Sequence, residues 1–184
     1  MGDPAVNLAP RNFDEFLVWE NKQQERHEFV GGEVRAMVGA SKDHNRTVRR
    51  IARRLEDHLS GTPCEVFTED IKLRVGEDSF YPDVIVACDA RDQEDKYVVA
   101  YPKLLVEVLS MSTKDYDLSV KLQAYRSIAT LEEALFLDHE QRRAVLLRKD
   151  PPGWRILDLT SEDMLSLRSV DLSVRLEEVL SARH

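Results

Sequence analysis

Leu104-Leu105-Val106-Glu107-Val108-Leu109-Ser110 is the stretch that decides the fold. An apolar, partly β-branched run of this length reads as a strand buried on both faces. It is the most hydrophobic strand of the chain and is predicted to be central in a sheet. One residue breaks the pattern: Glu107. A second run, Tyr81-Pro82-Asp83-Val84-Ile85-Val86-Ala87, carries Asp83 in the same way. A lone charge in such a strand costs several kcal/mol unless it is paired, protonated or bound to a cation. Two carboxylates on adjacent strands repel unless something positive sits between them. The economical answer is a hard divalent cation held by oxygen ligands, with a lysine nearby, and Lys121 lies on the helix-like stretch that follows.

Outward from these strands the order is mixed α and β. Asn12 with Glu15 fits a capping box, so a short helix runs to about Asn21, burying Phe13, Phe16 and Leu17. His27–Val30, Gly31-Gly32 and Glu33–Val38 read as a hairpin in which Phe29 faces Val34. Glu28, Val30, Glu33 and Arg35 share its other face. Ser41 or Asp43 caps a helix from about residue 43 to Leu59. Its apolar stripe is Val48, Ile51, Leu55 and Leu59, and Arg46, Arg49, Arg50, Arg53 and Arg54 spread over the opposite side. Gly61-Thr62-Pro63 ends it. Cys64–Phe67 and Ile71–Val75 are the next strands, and Asp89–Lys96 is a polar loop. A second helix covers about Leu118 to Ile128, with Leu118, Leu122, Tyr125 and Ala129 inward. Ala134–Leu137, Arg143–Arg148 and Trp154–Leu159 follow, then a short C-terminal segment.

The 184 residues are most simply one domain, 1–184, with residues 1–11 as a loose lead-in. The 42% hydrophobic and 33% charged fractions describe a soluble globular protein. No apolar run approaches a membrane span and no signal-peptide pattern opens the chain, so a cytoplasmic setting and no membrane partner are expected. The two cysteines, Cys64 and Cys88, are expected as free thiols. The net charge of −8 counts against a large non-specific nucleic-acid interface, though not against a local basic strip.

Pro82-Asp83, Glu107 and Lys121 together resemble the PD-(D/E)XK nuclease superfamily. Val106–Thr113, with Asp117, Lys121 and Tyr125 following at four-residue steps, resembles the bacterial Uma-two family of restriction-endonuclease-like proteins. Glu28–Glu33 followed by His44 resembles the family's opening hairpin and helix. The resemblance runs from about Phe13 to Leu180. It implies an α/β fold: a restriction-endonuclease-like core with a mixed central sheet flanked by helices, plus extra C-terminal strands. It also implies a metal-dependent endonuclease acting on DNA with Mg²⁺ or Mn²⁺. Asp83 and Glu107 would be metal ligands, with the carbonyl of Val108 as a third. The motif lysine, two positions after the second acid in the superfamily, is Leu109 here, and its role moves to Lys121. Met111 stands where the family usually has proline.

Each assignment has a plainer alternative. Asp83 and Glu107 could serve structural salt bridges. Lys121 could be a surface pair with Asp117. His44 falls near Val48 and Ile51 on its helix, which suits a core histidine or one at the site. Glu28, Glu33, His44 and Tyr125 are candidates for the edge of the site. The five arginines read as a solvated face or as a phosphate-tracking strip. For the whole chain the alternative is a non-catalytic nucleic-acid-binding or protein-interaction module that retains the fold. A different metal-dependent phosphoesterase is a third reading. Late strands in such a fold could also form a homodimer interface.

Overall fold

A computed structural model describes residues 9–110 and 114–180. Met111-Ser112-Thr113 of the family-like motif and most of the expected lead-in lie outside the described residues. In chain order the elements are α1 (Phe13–Glu20), the hairpin β1 (His27–Val30) and β2 (Glu33–Ala36), and α2 (Lys42–Leu59). Then come β3 (Glu65–Thr68), β4 (Lys72–Val75), β5 (Asp78–Phe80), β6 (Val84–Ala87), β7 (Val98–Val99) and β8 (Pro102–Leu109). A helical segment follows: α3 (Lys114–Tyr116), a π turn (Asp117–Lys121) and α4 (Leu122–Tyr125). The chain closes with β9 (Glu133–Asp138), β10 (Arg143–Asp150), β11 (Gly153–Thr160), β12 (Met164–Leu167), β13 (Leu172–Arg175) and α5 (Leu176–Val179).

The main sheet runs in the order β11-β10-β9-β8-β6-β3. It is mixed, because β8 and β9 are parallel while its other neighbours are antiparallel. A parallel pair needs a crossover, and the 114–125 helical segment supplies it. A second sheet, β2-β1-β5-β4-β7, and the C-terminal pair β12-β13 complete the fold. Alternate residues of the main sheet feed two cores. Val84, Val86, Leu104, Val106 and Val108 pack with α2, α5 and the C-terminal strands. Ile85, Leu105, Leu109 and Phe136 pack with Tyr125, Leu73 and Phe80 on the other side.

Local chemistry explains both long-range anchors. Asn12 accepts from the Glu15 N–H at the start of α1, and Ser41 accepts from the His44 N–H at the start of α2. The α2 stripe of Val48, Ile51, Leu55 and Leu59 is buried, each side chain contributing about 1.5–3 kcal/mol relative to exposure. The opposite face is solvated and internally paired: Arg46 meets Asp43 at 2.7 Å, Arg53 meets Asp57 at 3.7 Å and Arg54 meets Glu178 at 2.8 Å.

Three expectations need correction. Leu17 is only half-buried, and Glu20 takes the third inward position of α1. In the crossover, Ala129 is exposed and Leu118 and Leu122 are half-buried, while Asp117 and Lys121 are inside. The π turn is the cause, because its wider winding shifts the face that an α-helical projection assigns. Finally, Cys64 and Cys88 are not free thiols but form a disulfide. The antiparallel register Glu65↔Ala87 sets the residues just beyond it, 64 and 88, side by side, a pairing that cysteine counting does not register. Among the described residues no helix is long and apolar enough to cross a membrane.

Candidate active site

β6 and β8 pair antiparallel with Val84 opposite Val106, so one step further along the chain Asp83 stands across from Glu107. Strand alternation directs Glu107 to the side of Ile85 and Leu105, away from the α2 core. Asp83 lies one residue before β6 rather than inside it. Its Oδ2 accepts the Val108 N–H at 2.6 Å, which ties the end of one strand to the other. The same oxygen faces His44 Nε2 at 3.3 Å, reached from the first turn of α2. Both contacts fall on Oδ2, and neither uses Oδ1.

The crossover lays its lysine over Glu107. Lys121 Nζ is 3.1 Å from Glu107 Oε2, 3.2 Å from Glu28 Oε1 and 3.3 Å from Asp117 Oδ1, all four side chains being buried. The other Glu107 oxygen accepts from the Tyr125 hydroxyl. Glu28 comes from β1. Its Oε1 accepts the Tyr81 N–H at 3.1 Å and its Oε2 accepts the Tyr116 hydroxyl at 3.1 Å. The hairpin, the crossover and the central strand β8 therefore meet at one ammonium group.

The electrostatics follow from burial and charge count. Burial pushes the Glu107 carboxyl well above the usual carboxylate range; Lys121 opposes this and Asp117 and Asp83 reinforce it. Burial works against the Lys121 charge, yet Glu107, Glu28 and Asp117 outweigh it and hold its pKa well above the ordinary value. His44 is raised as well: burial opposes its charge, but Asp83 and the Val108 carbonyl favour the protonated ring. Its Nδ1 is buried without a hydrogen-bond partner. Carboxylates outnumber cations here, so the cluster is poised to accept a proton or another positive charge.

The structure thus brings Asp83, Glu107, Val108, Lys121, His44, Glu28 and Tyr125 together. It does not bring Glu33, which stays exposed at the hairpin and pairs with Arg35 at 3.4 Å. The Lys121–Asp117 pair exists, but inside the protein rather than on its surface. Asp117 was visible as a residue four before Lys121 yet was not counted in the site. Tyr81 and Tyr116 were missed, and no local sequence signal marks them.

The oxygens of Asp83, Glu107 and the Val108 carbonyl are hard donors of the type Mg²⁺ or Mn²⁺ would take. Among the described residues no three His, Cys, Asp or Glu side chains are grouped to hold a metal. A cation would therefore rest on two carboxylates, a backbone carbonyl and water, which suits an ion that keeps much of its hydration.

Comparison with known proteins agrees with this architecture. The chain is similar to a crystal structure described as "a putative nuclease belonging to DUF820" from Anabaena variabilis. That match has a TM-score of 0.77 at 14% identity and covers 93% of this chain and 98% of that one, a likeness of fold. Two uncharacterized proteins of Synechocystis sp. are also similar. The protein slr1290 is 35% identical over 179 residues, covering 96% of this chain and 93% of its own. The protein sll1609 is 35% identical over 154 residues, covering 81% of this chain and 87% of its own. The sequence profile described as "Uma2: Putative restriction endonuclease" matches residues 13–177, and the chain belongs to that family.

Proposed function

We propose that this protein is a metal-dependent endonuclease that hydrolyses phosphodiester bonds in DNA. One observation carries the reading: Asp83, just before β6, is bound to the Val108 N–H of the adjoining β8, beside Glu107, with the Lys121 ammonium 3.1 Å from Glu107.

Asp83, Glu107 and the Val108 carbonyl would hold Mg²⁺ or Mn²⁺. Such an ion, when bound, polarises a phosphoryl oxygen and lowers the pKa of water. The chain's own residues then do the positioning. The Val108 N–H fixes Asp83, and Tyr125 and Lys121 fix the two oxygens of Glu107. Lys121 offers a buried positive charge, worth more against developing phosphoryl charge than an exposed one. Its three N–H donors face Glu107, Glu28 and Asp117, so a phosphoryl oxygen must replace one of them to be bound. His44 can hold or pass a proton beside Asp83.

The test is nicking of supercoiled plasmid DNA by the purified full chain with Mg²⁺ or Mn²⁺ and with chelator. Metal-dependent nicking that Asp83→Ala removes supports the reading; protein that binds metal and never cuts overturns it.

The second reading is a non-catalytic module with the same fold. What favours it is that the internal carboxylates already occupy Lys121 and that the net charge is −8. Such a module gains no thermal stability from Mg²⁺ or Mn²⁺, whereas a site that binds the ion does, by mass action.

A further inference from the structure

The face that carries Glu107 continues beyond the site. Glu107 is in register with Phe136 on β9, Phe136 with Val145 on β10, and Val145 with Asp158 on β11. The crossover helix covers only the inner part of this row. Over the outer part lies a cavity of about 200 Å³. Leu118 and Val145 form its accessible apolar wall over the buried Phe136 and Leu109, the Lys114–Asp138 pair and Gln141 line another side, and Arg143 and Asp158 are exposed at its edge. Phe136 joins the two places physically: its ring stacks on Tyr125, whose hydroxyl donates to Glu107. At about 4.8 Å per strand, Val145 lies about 10 Å along the sheet from Glu107, within reach of a nucleotide next to the bond being cut.

We propose that this cavity receives an unpaired nucleobase, so that the protein selects single-stranded over duplex DNA. The proposal rests on the nuclease reading above. A base presents two apolar faces and an edge of donors and acceptors. The walls match the faces, the Arg143 guanidinium supplies donors and the Asp158 carboxylate supplies an acceptor. Arg143 forms no ion pair among the described residues, unlike Arg46, Arg53 and Arg54 on α2. Of the other two arginines of that helix, Arg50 donates to the Leu180 carbonyl and Arg49, like Arg143, forms no ion pair among the described residues. With three of the five α2 arginines in ion pairs and a net charge of −8, the chain has little net positive charge to offer a duplex backbone. Affinity must come from the bases, and bases are exposed only when unpaired.

The experiment measures fluorescence anisotropy of a labelled mixed-sequence DNA oligonucleotide, single-stranded and as blunt duplex, with the full chain in chelator. Wild type should bind the single strand more tightly. Val145→Trp, which fills the cavity, and Arg143→Ala, at its mouth, should each weaken single-strand binding by about tenfold and leave duplex binding unchanged. Neither residue belongs to the metal or lysine cluster, and an unchanged unfolding temperature shows that the fold is intact. Variants that bind the single strand like wild type overturn the proposal, as does equal weakening for both oligonucleotides. Plasmid nicking reports separately on the nuclease reading. A protein that cuts while its variants bind normally loses only the cavity. One that binds single strands selectively but never cuts loses only the nuclease.

Discussion

Lys121 Nζ and Glu107 Oε2 lie 3.1 Å apart, and both side chains are buried. Burial penalises both charges; Glu107, Glu28 and Asp117 outweigh it at Lys121, whereas at Glu107 burial prevails over the opposing pull of Lys121 and the Tyr125 hydroxyl. This coupling makes the site fragile to single substitutions and defines how it is to be tested.

Lys121→Met removes the ammonium and keeps most of the stem. DNA cleavage should be abolished, while titration should show divalent-metal binding retained because the oxygen set is untouched. Removing one partner of a buried ion pair costs about 3–5 kcal/mol, so its unfolding temperature without metal should fall. A Lys121→Met protein that cuts as fast as wild type removes the lysine from the mechanism. Lys72 would be no substitute, since it is buried on β4 with Glu20 at 3.2 Å.

Glu107→Gln replaces a carboxyl that burial already pushes toward its neutral form. The rise in unfolding temperature on adding Mg²⁺ or Mn²⁺ should disappear with it. Asp83→Asn should lose that rise too, and should also free His44 from its partner at 3.3 Å. Retention of the full metal-induced shift in both variants would remove the carboxylate pair as the ion's anchor.

Asp138, at the end of β9, has its pKa lowered below 3.8: burial works against the charge, but Lys114 at 2.7 Å and the Gln141 N–H at 2.8 Å win. A depressed folded value stabilises the protein above the unfolded value and loses that contribution as pH falls through the folded one. Asp138→Asn should therefore be less stable than wild type near neutrality, and the gap should close in strong acid. Denaturant midpoints across pH check it; a gap that widens on acidification contradicts the sign.

The Cys64–Cys88 bridge spans 24 residues of chain and ties β3 to β6. Its reduction should cost about 3 kcal/mol through the freed unfolded chain. A thiol-reactive dye should find no reactive cysteine in the unreduced protein even after unfolding. Two thiols titrating there would show that no bridge forms.

Much of this was legible where the signal is local. The runs around Asp83 and Glu107 announced adjacent strands, Ser41 announced the start of α2, and the Gly31-Gly32 pair announced a hairpin whose register Phe29↔Val34 is the observed one. Signals that depend on three dimensions were not legible. The disulfide depends on strand register. The burial of Asp117 and Lys121 depends on a π turn that no residue type signals. Tyr116 and Tyr81 reach Glu28 from far along the chain, at 3.1 Å each. Short strands such as β5 and β7 are too brief for periodicity to reveal.

The π turn at Asp117–Lys121 also bears on how the family can diversify. A π turn holds one residue more than the α-helix it interrupts. Deleting one codon between Asp117 and Lys121 would close that turn to regular winding and leave the turns on either side near their present phase. Asp117 would then stand three positions before Lys121, still on the same face of the helix. A residue can thus enter or leave the family's crossover at this turn by a single in-frame change while the lysine keeps its carboxylate.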